Sequence, residues 1–321
     1  MRRSSGQLNK LIKHSHQKRH NGRKILLAVL LLILLSILAT IYLYIPVNNA
    51  APNVTEPFLS ITPDSIQQGE PALITVEGLT STSSIKSFTI NDIPLVMFLH
   101  TDQVTALLGV DLRATPGTYS LVLTFKDGEQ IRGNLIINER SLVKVPFVIP
   151  EKLGGNTRAS ERELISTLAT EAKIINALPT GSEKLWTLPF GSPLKGALVV
   201  SDAYGYTRII GKSTMSHKGV DLNAPMGTSV YAMNRGMVIF TNYLRNYGNV
   251  VIIDHGIGLQ TVYIHLSKIN VTENQMVEKG ELIGLSGDTG YVLGPHLHLS
   301  VKIWDISIDP IKFLELLGSK N

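Results

Sequence analysis

Five residues in the last third of the sequence have the types and the spacing of a metal site. They are His217 and Asp221 in Ser-His-Lys-Gly-Val-Asp, His265 in Tyr-Ile-His-Leu, and His296 and His298 in Gly-Pro-His-Leu-His-Leu. Imidazole nitrogens and carboxylate oxygens are natural ligands of a zinc ion that keeps one coordination position open for water. A metal ion with an open position can take part in a reaction. These residues therefore indicate the function more clearly than any other part of the sequence.

Extended segments can bring these residues to one surface. Alternate side chains of a β-strand point to the same face, so His296 and His298 project from one side. His217 and Asp221 are four residues apart, and in an extended segment they also share a face. His265 ends a short apolar run. We therefore expect three separate segments to converge on one face of a sheet.

Each of these residues also has a purely structural interpretation. A lone histidine is usually a surface residue or a hydrogen-bonded core residue, and we interpret His255, in Asp-His-Gly, as a turn residue. Neither His-x-His nor His-x-x-x-Asp is specific by itself. Their co-occurrence in one glycine-rich region is more specific, because together they supply two or three nitrogens and a carboxylate.

The region that carries these residues is predicted to be all-β. From about Leu188 onward, short β-prone runs alternate with glycines, and no long helical pattern appears. The predicted strands are Val199–Val200, Ser229–Ala232, Met237–Thr241, Val250–Asp254, Gln260–His265, Leu282–Leu285 and His296–Ile303.

These segments resemble the M23 family of zinc metallopeptidases, the LytM or lysostaphin-type endopeptidases. The resemblance covers roughly residues 190–311 and rests on Ser216–Leu222, Val262–Leu266, Gly287–Gly290 and Gly294–His298. It implies a C-terminal antiparallel β-sheet peptidase domain of LytM type at residues 191–321.

The resemblance also implies how the five residues divide. His217, Asp221 and His298 would be the ligands of one zinc ion per chain, which leaves a position open for water. His265 and His296 would be the catalytic pair, which takes a proton from that water and stabilises the tetrahedral oxyanion. The sequence has no His-Glu-x-x-His helix, which excludes a thermolysin-type site with a glutamate base.

Three places depart from the family pattern. Leu299 and Ser300 follow the His-x-His segment where Phe-Glu is frequent, and Asp288 stands where Ser is common. Neither place supplies a ligand. Arg208 is offset by one residue from the arginine that is usual in the family.

The net charge of +5 comes from a short N-terminal tail. The 321 residues include 30 basic and 25 acidic ones and no cysteine. Residues 1–24 contain eight of the basic residues and no acidic one, so the remainder has a slight acidic excess. Nucleic-acid binding would require a basic stripe on a folded face, and this balance gives no sign of one. We interpret residues 1–24 as a cytoplasmic tail.

Residues 25–45 are predicted to be a transmembrane signal anchor. They form 21 consecutive uncharged residues rich in Leu, Ile and Val, which is long enough for a helix to cross the hydrocarbon core. The preceding cations predict an N-terminus in the cytoplasm. A cleaved signal peptide is the alternative, although its apolar region would be shorter. Either interpretation exports the rest of the chain across a bacterial cytoplasmic membrane to the periplasmic or extracellular side.

The middle of the chain is predicted to contain a small β-sandwich and a connector. Period-two patterns such as Tyr119–Phe125, separated by turn signals, predict an Ig-like sandwich at residues 54–139. It contains no cluster of residues that could form a catalytic or metal site. A role as a spacer is favoured over a role as a binding module or as a cover for the downstream site. Residues 140–190 form the connector, with one helix at Glu161–Ala177 that begins at a capping box of Ser160 and Glu163.

The chain is therefore expected to be mainly β and to act on peptidoglycan. The resemblance implies a membrane-anchored zinc endopeptidase that cleaves peptide bonds in stem peptides or cross-bridges. The alternative is a catalytically inactive LytM-type protein that binds and activates a cell-wall amidase, although such proteins lose metal ligands and this sequence keeps them all. The bond that is cut and any envelope regulatory partners stay open.

Overall fold

The computed structural model describes residues 31–37 and 56–319. The chain divides into two compact units, Met1–Thr55 and Glu56–Asn321. In the first unit, residues 31–37 are helical. The predicted tail at 1–24, and the predicted anchor at 25–45 apart from those seven residues, lie outside the described residues. Within the described part of the chain, no helix is both long enough and apolar enough to cross a membrane.

The second unit begins with a β-sandwich, and the prediction of a mainly β chain is confirmed. One sheet has the order β1-β3-β7-β6 and the other β2-β9-β8-β4-β5. The alternating side chains of β8 explain the packing, because Leu121 and Leu123 are fully buried between the sheets. The strands are β1 (Phe58–Thr62), β2 (Ser65–Gln67), β3 (Pro71–Glu77), β4 (Ile85–Ile90), β5 (Ile93–Pro94), β6 (Met97–His100), β7 (Gln103–Gly109), β8 (Gly117–Phe125) and β9 (Gln130–Asn138).

The connector contains the strand β10 (Lys144–Pro146) and the predicted helix, here α1 (Arg158–Asn176). The predicted capping box was wrong. Thr157 is the N-cap, with extended backbone, and its hydroxyl accepts a hydrogen bond from the Ser160 amide at 3.2 Å. Thr157 and Ser160 have the same capping chemistry, so the sequence pattern alone placed the start three residues late.

The remaining strands build one large sheet and two small ones. The large sheet has the order β11-β14-β22-β18-β17-β16-β20, with β23 paired to β22; the small sheets are β15-β21-β19 and β10-β12-β13. The elements are β11 (Val200–Asp202), β12 (Thr207–Ile210), β13 (Ser213–Ser216), β14 (Val220–Leu222), β15 (Ser229–Tyr231), β16 (Gly236–Leu244), β17 (Gly248–Gly256), β18 (Leu259–Leu266), β19 (Lys268–Ile269), β20 (Met276–Val277), β21 (Leu282–Leu285), β22 (Leu297–Ile303), β23 (Ile306–Ile308) and the short helix α2 (Pro310–Leu317). The pattern in the sequence had not indicated α2.

The strand β22 lies between β14 and β18 in the large sheet and aligns the candidate site. Asp221 on β14 is opposite His298 on one side of β22, and Ile264 on β18 is opposite His298 on the other. His265 follows Ile264 directly in the chain. The expected convergence of three segments on one sheet is therefore present.

His255 corrects the sequence interpretation, because it is a core residue of β17 and not a turn residue. Its side chain is fully buried, with Nδ1 2.8 Å from the Arg235 carbonyl oxygen and Nε2 2.8 Å from Thr261 Oγ1. β17 continues through Gly256, so the Asp-His-Gly turn signal was overridden by strand pairing. Burial lowers the pKa of His255 to about 4.

This buried histidine should make folding sensitive to mild acid. The unfolded chain binds a proton on His255 below pH ~6.5, whereas the folded chain binds it only near pH 4. Stability from this group is thus present above pH ~6.5 and falls by about 3 kcal/mol as the pH drops to ~4. Urea unfolding of the zinc-free full chain from pH 7.5 to 4 should show a fall that is smaller by this amount in His255→Gln. An equal fall in both proteins would contradict the assignment.

Candidate metal centre

Three ligand atoms meet at the surface of the large sheet. His217 Nε2 lies 3.1 Å from Asp221 Oδ1 and 3.0 Å from His298 Nδ1, and the last two atoms are 2.7 Å apart. Ligands of a tetrahedral zinc ion with bonds of about 2.0–2.1 Å lie roughly 3.3 Å from one another. The three atoms are thus spaced almost as a bound ion requires.

Hydrogen bonds behind the two imidazoles fix which nitrogen faces the centre. His217 Nδ1 lies 2.9 Å from the carbonyl oxygen of Ala203, which can only accept, so Nδ1 carries the proton. His298 Nε2 lies 3.0 Å from Ser300 Oγ, whose own proton goes to the Lys218 carbonyl oxygen at 2.8 Å. Each histidine therefore directs a lone pair at Asp221. Such support from a second layer of residues is typical of metal ligands.

The donor set fits a divalent cation. In these tautomers two lone pairs and a carboxylate oxygen converge with no proton between them, an arrangement that repels itself in the absence of a cation. Burial lowers the pKa of His298 to about 4, so the imidazole is neutral at pH 7, as a ligand must be. With no cysteine in the chain, nitrogen and oxygen are the available ligands.

Arg208 holds the carboxylate of the triad in place. Its Nη2 donates to Asp221 Oδ2 at 3.0 Å and to Asp202 Oδ2 at 2.6 Å. Oδ1 of Asp221 is left to face the two imidazoles. Sequence reasoning noted the arginine by its position but could not identify its partner, because the contact joins β12 to β14.

His265 and His296 flank the triad, with one nitrogen each directed away from it. The Nδ1 atom of His265 donates to the Thr289 carbonyl oxygen and that of His296 to the Gly294 carbonyl oxygen, both at 2.9 Å. Both Nε2 atoms thus have free lone pairs. His296 Nε2 lies 3.6 Å from Asp221 Oδ1, and the His265 and His296 rings are 4.9 Å apart.

His265 is held as a neutral imidazole. It is buried, and burial together with the neighbouring His298 and His296 lowers its pKa well below the ordinary value. Its backbone has φ +62°, an uncommon conformation for a residue with a side chain. Positive φ at a non-glycine residue is often found at functional sites, and here it accompanies an imidazole beside the metal triad.

Gly219 allows β14 and β22 to approach closely. A Cβ atom at this position would lie 2.5 Å from His298 Nε2 and 2.6 Å from Ser300 Oγ. Any side chain would displace the hydrogen bond that orients His298. Sequence reasoning missed Ser300 as a supporting residue, although the period of two places it on the same face as His296 and His298.

A cavity of about 530 Å³ extends from the triad to the connector helix. Its walls include His265 and His298 on one side and Leu164 and Leu168 of α1 on the other. The predicted packing helix therefore also lines the space next to the candidate site.

Comparisons with known proteins agree with this geometry. Residues 215–310 match the model of Peptidase family M23. The peptidoglycan DD-endopeptidase ShyA of Vibrio cholerae is 42% identical over 103 residues, which cover 32% of this chain and 24% of that protein. The DD-carboxypeptidase/endopeptidase Mpg of Neisseria meningitidis is 38% identical over 113 residues, covering 35% of this chain and 26% of that protein. The match thus spans about a quarter of the length of these curated relatives.

The fold is shared over a longer stretch. A crystal structure of a peptidase M23 from Pseudomonas aeruginosa superposes with a TM-score of 0.54 at 22% identity, covering 82% of this chain and 96% of that chain. At this identity the similarity concerns the fold. The sequence match, by contrast, assigns residues 215–310 to peptidase family M23.

Proposed function

We propose that the chain is a membrane-anchored zinc metalloendopeptidase that hydrolyses peptide bonds in peptidoglycan stem peptides or cross-bridges. The observation that carries the proposal is the His217–Asp221–His298 triad, flanked by two imidazoles with free Nε2 atoms. Two relatives support the substrate class by their names: ShyA is a peptidoglycan DD-endopeptidase, and Mpg is a DD-carboxypeptidase/endopeptidase.

The ligands His217, Asp221 and His298 would hold one zinc ion, which supplies Lewis acidity to the scissile carbonyl and to the attacking water. The residues of the chain then move the proton. One of the flanking pair, His265 or His296, accepts it from the water at Nε2 and later returns it to the leaving amine. The imidazole that has accepted this proton can stabilise the developing oxyanion by a charge-assisted hydrogen bond until the proton passes to the leaving amine. The buried site limits competing water, which strengthens these interactions.

We also propose that the site lies outside the cytoplasm. The apolar residues 25–45 would anchor the chain in the cytoplasmic membrane by a single span, with the basic tail inside. The peptidase domain would then face peptidoglycan on the periplasmic or extracellular side. A catalytically inactive protein that activates an amidase is the alternative, and the complete set of five residues argues against it.

Loss of one ligand should remove metal and activity together. Zinc analysis of the purified full chain should give about one ion per chain, and His217→Ala should give nearly none, because two ligands hold zinc far more weakly than three. The variant should release no peptide fragments from purified peptidoglycan. A matched control is His20→Ala, in the basic tail, which should keep both. Metal-free wild type, or equal digestion by His217→Ala, would contradict the proposal.

Loss of the proposed base should separate metal binding from catalysis. In His265→Asn the side-chain amide can still donate to the Thr289 carbonyl oxygen, which preserves the local fold. We expect normal zinc content and a turnover rate lower by about 10²–10⁴-fold, the usual contribution of general acid–base catalysis. Zinc analysis and initial rates of peptidoglycan hydrolysis check this result. Unchanged turnover would exclude His265 as a proton acceptor.

A further inference from the structure

The β-sandwich and the peptidase domain share a hydrophobic core. Phe98 and Leu107 of the sandwich are buried in the same cluster as Trp186 and the inner side chains of the large sheet. The rings of Phe98 and Trp186 lie 5.6 Å apart in an edge-to-face arrangement. The sandwich is thus packed directly against the domain that carries the metal centre.

Arg140, just after the last sandwich strand, is the polar centre of this joint. Its Nη2 atom donates to Glu70 Oε1 at 3.2 Å and to Asp309 Oδ2 at 2.9 Å, and its Nη1 atom to the Tyr204 carbonyl oxygen at 3.4 Å. Its guanidinium carbon lies 5.3 Å from the centre of the Tyr204 ring. The side chain is only 12% exposed. One cation therefore joins the sandwich, the C-terminal helix and the loop at Tyr204.

That loop is the support of a metal ligand. The carbonyl oxygen of Ala203 accepts from His217 Nδ1 at 2.9 Å, the Gly205 amide donates to the His217 carbonyl oxygen at 2.8 Å, and the His217 amide donates to the Tyr206 carbonyl oxygen at 2.8 Å. Tyr204, between them, is buried, and its hydroxyl donates to the Ser307 carbonyl oxygen at 2.7 Å. The position of His217 thus depends on where residues 203–206 are held.

The sandwich also contacts Tyr204 directly. A Cβ atom built on Gly69 would overlap the Tyr204 ring, and Gly69 has φ +84°. The adjacent Glu70 is the partner of Arg140. Tyr204 is therefore clamped between Gly69 on one side and the guanidinium of Arg140 on the other.

We propose that Arg140 is a positioning residue for the metal ligand His217, and that it acts through Tyr204 and the Ala203 carbonyl oxygen. The sandwich, through Gly69 and Glu70, is then part of the support of the metal centre and not only a spacer. This inference rests on the proposed zinc site. Arg140 touches neither the ligand atoms nor the cavity, so its effect is on the geometry of His217.

The test is the zinc affinity of the full chain, measured by competition with a chelator at pH 7.4. Arg140→Gln should raise the zinc Kd by about 10–100-fold, the usual effect of losing a supporting residue behind a ligand. In the metal-free protein, the ¹⁵N shifts of the His217 ring should also show loss of the single Nδ1–H tautomer. The matched control, Phe98→Leu, loosens the same joint without touching residues 203–206 and should leave both readouts unchanged.

A second pair of variants tests the role of the Tyr204 loop in zinc binding if Arg140→Gln does not fold. Gly69→Ala keeps Arg140 but pushes on the Tyr204 ring, and it should also weaken zinc binding. Gly128→Ala is its control, because Gly128 has a similar φ of +97° but open space around it, so it should bind zinc as the wild type does.

The outcomes separate this inference from the proposed function. If the wild type binds no zinc, the metal centre itself is wrong and this inference falls with it. If the wild type binds zinc and folded Arg140→Gln binds it equally well, only the role of Arg140 is wrong. Equal weakening by Arg140→Gln and Phe98→Leu would show general loosening of the joint and would also overturn it.

Discussion

The site depends on two imidazole nitrogens and one carboxylate oxygen that meet with no proton between them. Each group is held from behind: His217 by the Ala203 carbonyl oxygen, His298 by Ser300, and Asp221 by Arg208. These hydrogen bonds oppose the mutual repulsion of the three atoms in the absence of a cation. A divalent ion would therefore enter a site that is already arranged, which is how proteins obtain tight and well-oriented metal binding.

Burial acts in the same way on His298 of the triad and on His265 of the flanking pair. Removal of His298 and His265 from water disfavours their charged forms, so both stay neutral at pH 7. Neutral imidazole is the form that ligates a metal and the form that accepts a proton. The two rings differ in position, since His298 Nδ1 points into the triad whereas His265 Nδ1 donates to the Thr289 carbonyl oxygen.

What the sequence could predict follows from strict periodicity. Side chains alternate along a strand, so His296 and His298 were predicted to share a face, and extended segments allowed His217, Asp221 and His265 to converge on that face. The supporting groups carry no such signal. The carbonyl oxygens of Ala203, Thr289 and Gly294 belong to loops, and every residue type has a carbonyl. The partner of Arg208 had no signal in the sequence, because the contact is between side chains of two strands, β12 and β14, that lie in different sheets.

Similar reasons explain the two local errors. Thr157 and Ser160 can both cap a helix, and the extended backbone at Thr157 decides between them. His255 follows an aspartate and precedes a glycine, which is a turn signal, yet β17 pairs with β18 at Asp254 and again at Gly256, on either side of it. In both cases a local preference was weaker than the contacts made by neighbouring elements.

The support of the metal centre extends beyond the segment that matches the family. Residues 215–310 contain all three ligands, but Asp202, Ala203 and Arg208, which hold two of them, precede that segment. One wall of the adjoining cavity comes from α1, earlier still. A fragment cut at residue 215 would keep the ligands and lose the hydrogen bonds that orient His217 and Asp221. If the proposed zinc site is present, the smallest unit that should bind the ion therefore includes the connector and the residues of the sandwich that support the loop at Tyr204.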